Sequence, residues 1–222
     1  MFGGSKNGEW HTLALSLVVA AFTVVVAVTN GQSFAAETPS EIRKTYKNQP
    51  LFADDFGGGL GQWQVEQEGG GTVRTRSGML DIDVAAGVTL WFRQELYGPV
   101  MIEYDALMVR SGGPNDWVSD LNCFWMATDP RRGAFFEPLR SGNFADYNTL
   151  LTYYVGQGGN RNTTTRFRRY IGDDRVRPLL PQNDLSSPDV LLQPNRWQHI
   201  RLIADGDKIQ YYQDEKRLFD YV

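Results

Sequence analysis

The sequence predicts an all-β protein, an antiparallel two-sheet β-sandwich of the jelly-roll type. Three observations predict this fold. Short segments with period-two alternation of apolar and polar residues recur along the chain, turns rich in Gly, Asn and Asp separate them, and no stretch after residue 35 shows a sustained helical stripe. The 23 glycines, 12 phenylalanines and 10 tyrosines agree with strands joined by turns. Successive strands without intervening helices favour two antiparallel sheets packed face to face.

The composition excludes several classes of function. The chain has 222 residues, 22% of them charged, and a formal net charge of -4. It therefore lacks the large basic field that binding to nucleic acid requires, and we expect no nucleic-acid partner. One cysteine and two histidines leave no intrachain disulfide, no cysteine zinc cluster and no histidine-rich metal site. We expect no cofactor, with a structural calcium ion as the open alternative.

The N-terminus has the pattern of a secretory signal peptide. An apolar run covers residues 13–28, Lys6 precedes it, and small residues follow at Ser33 and at Ala35-Ala36. The run is short for a membrane span, which needs about 20 residues, so an uncleaved anchor is the weaker alternative. We expect residues 1–35 to be the signal peptide of a bacterial protein that is secreted or periplasmic, with no membrane association after cleavage.

The remaining chain divides into a linker and one domain. Residues 36–50 are polar and contain Pro39 and Pro50, which is typical of a linker. Residues 51–222 form the predicted sandwich. Its first half alternates most clearly, and we expect strands in the following segments: 51–56, 79–84, 88–92 and 99–109.

The second half contains two strands that are apolar on both faces, residues 121–127 and 150–155. Such strands are central in a sandwich or lie beneath a covered cleft. Tyr153 and Tyr154 are adjacent, so one of them must point away from the core, and Cys123 is expected to be a buried, inert thiol. Residues 195–219 predict two successive hairpins, with Asp205-Gly206 as the first turn.

Several segments resemble a known superfamily. The opening "LFADDFGGGLGQWQV", the strand "SGMLDIDV" and the closing "NRWQHIRLIADGDKIQYYQDEKRLFDY" resemble the concanavalin A-like lectin/glucanase superfamily. The central "NDWVSDLNCFWMATDP" and "YNTLLTYYVGQGGNRNTTTRFRRY" are similar to a family of secreted bacterial proteins of unassigned function associated with plant-polysaccharide degradation. The resemblance implies a jelly roll whose concave face binds a poly- or oligosaccharide. It also implies one more strand after "LFDY", which the sequence lacks, so we expect the C-terminal closing strand to be missing through truncation, with an open sheet edge as the alternative.

The segment 163–170 carries the most informative polar pattern. Arg166, Arg168 and Tyr170 share one face of the predicted strand, and Phe167 on the other face should meet the core. Guanidinium groups match carboxylates bidentately, so the two arginines are candidates to hold a uronate. The alternative is a solvated strand with cross-strand ion pairs to acidic residues.

A second cluster surrounds residues 115–122. A loop tryptophan can stack on the apolar face of a sugar ring, so Trp117 is the preferred platform, with a structural loop anchor as its alternative. We expect further substrate contacts from three residues of the neighbouring strands: Asn122, Trp125 and Tyr154. Asp116, Asp120 and Asn122 could also hold calcium through oxygen atoms, although their spacing matches no EF-hand loop.

Catalysis by β-elimination needs a base near the C5 proton of a uronate and a cation that neutralises its carboxylate. The resemblance implies a tyrosine or histidine for the first role and an arginine or an amide for the second. The candidate catalytic residues are therefore Tyr170, His199 and Arg168, and Tyr153 and Tyr154 are further available bases. A surface imidazole is the alternative for His199. Two carboxylate pairs have spacing that a glycoside hydrolase could use, but we expect both to be solvated: Asp81 with Asp83 and Glu103 with Asp105.

The sequence thus predicts a secreted carbohydrate-active protein that acts on an acidic, uronate-containing polysaccharide, and it favours a polysaccharide lyase. A non-catalytic glycan-binding module and a glycoside hydrolase of the same fold are the alternatives, and a structural domain with no sugar role is a third. Arginines that grip a carboxylate serve binding and elimination equally. The prediction depends on five side chains that should converge on one concave face: Trp117, Arg166, Arg168, Tyr170 and His199.

Overall fold

A computed structural model of the protein describes residues 52–176 and 181–222, together with the backbone of a strand at 15–26. The residues described in this way contain fourteen strands. Their bounds are β1 Leu15–Val26, β2 Phe52–Asp54, β3 Trp63–Gln67, β4 Gly71–Thr75, β5 Leu80–Val84, β6 Val88–Phe92, β7 Val100–Met108, β8 Leu121–Thr128, β9 Leu151–Gly158, β10 Thr164–Ile171, β11 Asp184–Leu185, β12 Trp197–Asp205, β13 Lys208–Gln213 and β14 Lys216–Tyr221.

The strands form two main antiparallel sheets. The larger sheet has eight strands in the order β14-β13-β12-β7-β1-β5-β4, with β2 beside β1, and the smaller has the order β11-β10-β9-β8. β3 and β6 form a separate antiparallel pair. Helical geometry in the described residues is limited to short turns, at Phe144–Tyr147, Gly159–Asn162, Pro181–Asn183 and Pro188–Val190. The predicted all-β sandwich is therefore confirmed.

The core lies between the two sheets and is built by alternation along the strands. In β7 alternate residues face the core, and Val100, Ala106 and Met108 are at most 1% exposed. The smaller sheet contributes the opposing layer: Leu121, Cys123, Trp125, Val155 and Phe167. Cys123 is a buried free thiol, as predicted. Tyr153 packs against this core while Tyr154 points to the other side, which resolves the adjacent tyrosines as expected.

A second apolar cluster covers the other side of the smaller sheet. It consists of Trp91 from β6 and Tyr147 and Leu150 from the segment between β8 and β9, with partly buried rings packed around them: Phe124, Phe135 and Phe136. The smaller sheet is therefore covered on this side by residues 129–150 over part of its length. This arrangement agrees with the prediction of a covered cleft for strands that are apolar on both faces.

The N-terminal segment that the sequence predicts to be a signal peptide, residues 1–35, contains one of the described strands. In the full chain β1 pairs with β5 on one side and with β7 on the other. The predicted linker, residues 36–50, lies outside the described residues. Among the helices that the structure describes, none has the length and apolar character needed to cross a membrane. The predicted C-terminal hairpins are confirmed, and β14 lies at an edge of the larger sheet.

Candidate functional site

A groove lies on the side of the smaller sheet that faces away from the core. Alternation in β10 turns Phe167 inward, where it is 3% exposed, and turns Arg166 and Arg168 toward the groove. From β8 and β9, Phe124 and Tyr154 face the same way, with ring centroids 4.9 Å apart. The groove combines rings, amides and charged groups: Trp91, Asp120, Asn122, Phe124, Phe135, Phe136, Phe144, Tyr147, Tyr154, Asn160, Arg161, Arg166 and Arg168.

The two arginines of β10 share one carboxylate. Asp184 in β11 is the cross-strand neighbour of Arg166, and its carboxylate lies 3.4 Å from Nε of Arg166 and 2.6 Å from Nη1 of Arg168. Arg168 is 6% exposed and also donates to the Phe167 carbonyl at 2.7 Å. The alternative interpretation, a cross-strand ion pair, therefore applies to both arginines, but Arg168 is buried whereas the Arg166 side chain remains partly exposed.

A left-handed turn brings two more polar residues to the groove. Three consecutive non-glycine residues between β9 and β10 have positive φ angles, namely Asn160, Arg161 and Asn162. Asn162 holds this turn because its side-chain amide exchanges two hydrogen bonds of 2.9 Å with the backbone of Leu192. Left-handed geometry is costly for such residues, and it persists where the surrounding structure enforces it, often at functional sites.

The turn also contacts Arg166 directly. With its amide oxygen directed at the guanidinium, Asn160 accepts hydrogen bonds from Nη1 and Nη2 of Arg166 at 3.2 and 2.7 Å. Asn160 thus fixes the orientation of the Arg166 side chain. Arg161 is exposed beside them and lines the same groove, and no ion pair engages it within the described part of the chain.

Two ionisable groups in the groove have raised pKa values. Burial raises the pKa of Asp120, although a hydrogen bond from the Ser119 hydroxyl opposes the shift. Burial also raises the pKa of Tyr154 well above its usual value, and the nearby Tyr170 and Asp120 add to the increase while Arg168 opposes it. Asp120 is therefore a carboxyl group that titrates closer to neutrality than usual, and Tyr154 stays protonated at neutral pH.

The position of Tyr154 depends on a glycine. A Cβ added at Gly156 would lie 3.0 Å from Cζ and 3.2 Å from Cε1 of the Tyr154 ring, which leans over this residue. The ring is also confined by Tyr170, 5.7 Å away, and its hydroxyl donates to Asn122 at 3.0 Å. The absence of a side chain at Gly156 therefore allows Tyr154 to lie flat along the strand.

Replacing Gly156 by alanine is expected to displace Tyr154 into the groove. The added methyl group overpacks a confined site, so we expect the free energy of unfolding to fall by about 1–3 kcal/mol. Chemical denaturation measures this change. Gly58→Ala is the matched control because a Cβ at Gly58 meets open space, and equal effects of the two substitutions would contradict the assigned role of Gly156.

A buried charge network lies behind Trp91 and Tyr147, two of the residues that line the groove. The Glu66 carboxylate accepts hydrogen bonds from Trp91 Nε1 at 2.9 Å and from the Tyr147 hydroxyl at 3.0 Å. Arg140, whose side chain is fully buried, places Nη2 2.8 Å from Asp129 and Nη1 3.5 Å from Glu66. Its guanidinium also lies over the Phe135 ring at 4.5 Å. The network therefore joins β3, β6 and the segment 129–147 into one wall of the groove.

The pKa of Asp129 reflects this environment. Burial alone would raise it, but the backbone N–H of Arg131 and the Arg140 guanidinium outweigh burial and lower the pKa below its usual value. Asp129 therefore remains a carboxylate at neutral pH and serves to hold Arg140.

Four of the predicted site residues do not reach the groove, namely Trp125, Trp117, Tyr170 and His199. Trp125 faces the core, where its ring lies 6.2 Å from that of Phe167, because it has the opposite parity to Phe124 in β8. Trp117 lies in the β7–β8 loop, is 41% exposed and does not line the groove. Tyr170 has the predicted orientation but is only 3% exposed, because the rings of Phe124 and Tyr154 cover it.

His199 lies on the opposite sheet, so the prediction that all five key side chains converge on one face is wrong. It faces outward from β12, with Nδ1 2.7 Å from Asp105 and Nε2 3.3 Å from Glu103. Arg201 is fully buried and pairs with Glu103 at 2.6 Å and with Glu215 at 2.8 Å. Glu103 is accordingly 9% exposed rather than solvated, which corrects the prediction for that carboxylate.

The carboxylates considered for calcium have separate partners. Asp116 accepts hydrogen bonds from the backbone N–H groups of Ser111 and Gly113 at 2.5 and 2.9 Å and so closes its own loop. Asp120 is bonded to Ser119, and Asn122 to Tyr154. In the part of the chain that the structure describes, no group of three or more His, Cys, Asp or Glu residues is placed to hold a metal ion.

Sequence reasoning missed the residues that shape the groove outside β10. Arg161 and Asn160 lie in the segment "GGNRN". Gly and Asn tolerate positive φ angles, so this succession of residues could have indicated the left-handed turn. Glu66 and Arg140 are far apart in the chain, so no local pattern could pair them. Asp120 was considered only as a calcium ligand.

One comparison with known proteins gave a match. Residues 82–222 match the model of a family described as a domain of unknown function, DUF6250. No curated protein and no solved structure matched the chain. The matched region contains β6 to β14 and nearly all of the groove, including Asp120, Tyr154 and Arg166. Because the match covers more than half of the sequence, the chain belongs to the DUF6250 family.

Proposed function

We propose that this protein is a secreted carbohydrate-active protein that binds an acidic, uronate-containing polysaccharide in the groove. The observation that carries the proposal is the combination of aromatic rings with two accessible guanidinium groups, Arg161 and Arg166, along one open face. The two-sheet sandwich supports the proposed relation to the concanavalin A-like superfamily, which places its sugar-binding face on such a sheet.

The aromatic residues supply surfaces for sugar rings. Phe124 and Phe144 are partly exposed. The ring centroid of Phe144 lies 6.1 Å from that of Phe124 and 5.6 Å from that of Tyr154, so the three rings form a row. The axial C–H face of a pyranose is apolar and packs on such rings, while its hydroxyl groups remain directed outward. Asn122 and Asn160 flank the row and offer the amide groups that hydroxyls can bond.

The guanidinium groups favour an anionic ligand over a neutral one. Arg161 has no described ion pair, and Arg166 shares Asp184 with Arg168, so the charge at this end of the groove is net positive. A carboxylate bound here would form charge-assisted hydrogen bonds, and the pre-oriented fork of Arg166 loses little freedom on binding.

Replacing Arg166 by glutamine is expected to weaken binding to polygalacturonate by about 10- to 100-fold, since a hydrogen bond to a charged group contributes about 1.5–3 kcal/mol. Affinity electrophoresis and titration calorimetry measure the change. Arg161→Gln should act in the same direction. Arg74→Gln is the matched control because Arg74 also pairs across strands, with Asp81 at 3.1 Å, but lies on the larger sheet.

Three results distinguish the alternatives. Equal binding of fully methyl-esterified pectin would show that the carboxylate is not recognised. Equal loss in the Arg74 variant would assign the effect to net charge rather than to the groove. An absence of binding to polygalacturonate, alginate and ulvan by the wild-type protein would contradict the proposal.

One observation favours a second candidate function, β-elimination. Asp120 lines the groove beside Tyr154, and a carboxyl group with a raised pKa is a more effective base near neutral pH. In this mechanism the Asp120 carboxylate takes the C5 proton, the electron pair forms the C4–C5 double bond, and the C4–oxygen bond breaks. The Tyr154 hydroxyl protonates the departing oxygen, and Arg166 neutralises the uronate carboxylate. Tyr170 and His199, the bases first predicted, are covered or on the opposite sheet.

The assay for this second function is the ultraviolet absorbance of the unsaturated uronate product. An increase with an acidic polysaccharide supports elimination, and retention in affinity electrophoresis without any increase supports a non-catalytic binding module.

A further inference from the structure

The central position of the larger sheet is occupied by the segment with signal-peptide character. β1 runs antiparallel to both of its neighbours, from Leu15↔Val84 to Val19↔Leu80 on one side and from Leu17↔Met108 to Val26↔Val100 on the other. Within the described part of the chain, β5 and β7 hydrogen-bond to β1 and not to each other. The space between them therefore has the width of one strand.

Both strands that flank β1 contribute buried side chains to the core. Leu80, Ile82 and Val84 of β5 are at most 5% exposed, and Ala106 and Met108 of β7 are fully buried. Without β1, the facing edges of β5 and β7 would present unpaired backbone N–H and C=O groups, and the core between them would be open. Unpaired strand edges of this kind are templates for pairing with another chain.

The sequence pattern implies that this strand is removed on secretion. The apolar run at 13–28 and the small residues at 33–36 are those of a cleaved signal. We propose that cleavage converts the position between β5 and β7 into a strand-acceptor site, which binds an extended peptide segment of another polypeptide antiparallel to both strands.

The flanking residues define the chemistry of that peptide. Its inward side chains must be apolar at every second position, since they complete a core layer between Ile82 and Met108. Its outward side chains lie beside four carboxylates, Asp81 and Asp83 on β5 and Glu103 and Asp105 on β7. Arg74 pairs with Asp81 and Arg201 pairs with Glu103, which leaves an excess of negative charge beside the strand position. The ligand is therefore an alternating apolar and basic strand, and it contains no proline because each inner N–H joins a ladder.

The test uses the full chain exported by a bacterial host, with the N-terminus of the exported product identified by mass spectrometry. The probe is a synthetic peptide with the sequence of residues 15–26 that carries Ser16→Lys, Val18→Lys and Thr23→Lys. These positions are in register with Asp83, Asp81 and Glu103. The control peptide carries Val19→Pro in addition, which keeps its charge and length but removes a backbone donor.

Hydrogen exchange of residues 80–84 and 100–108 is the readout. We expect fast exchange in the processed protein, and exchange slower by about 100-fold at a probe concentration 100 times its Kd, with no slowing by the proline peptide. An exported product that retains residues 1–35, slow exchange without any peptide, or equal effects of both peptides would overturn the proposal.

If the processed product aggregates, a refolding experiment tests the proposal instead. The same chain, unfolded in denaturant and diluted with each peptide, should give more soluble folded protein with the lysine probe than with the proline control. Equal recovery with the two peptides would overturn the acceptor site.

Discussion

Replacing Arg140 by methionine is expected to lower the free energy of unfolding by about 3–5 kcal/mol, because it leaves buried carboxylates without their cation. The Arg140 side chain is fully buried, as are those of Glu66 and Asp129. Methionine has a similar length and fills much of the space, so the loss reports the charge rather than a cavity. Chemical denaturation followed by tryptophan fluorescence measures the change.

The two carboxylates should respond differently to the loss of Arg140. Asp129 retains the guanidinium of Arg132 at 3.1 Å and the backbone N–H of Arg131. Glu66 retains only neutral donors among the contacts described for it, from Trp91, Tyr147 and the residue 140 backbone. We therefore expect Glu66 to account for most of the destabilisation.

A double variant separates the two contributions. Adding Glu66→Gln to Arg140→Met removes the uncompensated charge while preserving a hydrogen-bond acceptor, so part of the lost stability should return. Arg74→Met is the control, since its ion pair with Asp81 is exposed and such pairs contribute about 0–1 kcal/mol. No recovery in the double variant would show that Arg140 stabilises the wall through packing on Phe135 instead.

The alternation of apolar residues was sufficient to predict the sandwich. The expected strands at 79–84, 88–92 and 99–109 correspond to β5, β6 and β7, and the Asp205-Gly206 hairpin joins β12 to β13. Period two is a local property, so it can be read from a sequence without knowledge of the partner strands. The same local rule correctly assigned the two faces of β10, with Phe167 inward and Arg166 outward.

Which residues come together in the site depends on the order of the strands in the two sheets, and that order could not be predicted from local sequence patterns. Alternation places His199 on the outward face of its strand, but only the sheet order shows that this strand belongs to the larger sheet. The prediction that Trp125 contacts the substrate was wrong. Because β8 is largely apolar on both faces, the sequence pattern did not distinguish its inward-facing residues from those that face the groove. Tyr170 and Arg168 were expected to be exposed to solvent. Instead, Phe124 packs over Tyr170, and Arg168 is held in an ion pair with Asp184.

Asparagine in place of Asp120 is expected to reduce the rate of β-elimination by about 100- to 10,000-fold, the range for loss of a general base. The amide has the shape of the carboxyl group and can still accept the hydrogen bond from Ser119. Because burial disfavours the charged form of Asp120, the neutral amide should not destabilise the fold. The rate is measured by product absorbance, with thermal unfolding as the check on structure.

The pH dependence distinguishes a base from a residue that only positions the substrate. The base must be deprotonated, so the wild-type rate should increase with pH through the pKa of Asp120, and the raised pKa moves this increase to higher pH than for an ordinary aspartate. The residual rate of the Asp120→Asn variant should lack this step. Asp116→Asn is the matched control, because that carboxylate closes its own loop through Ser111 and Gly113. A wild-type rate that decreases through this pH range, or equal losses in the two variants, would exclude Asp120 as the base and leave binding as the function of the groove.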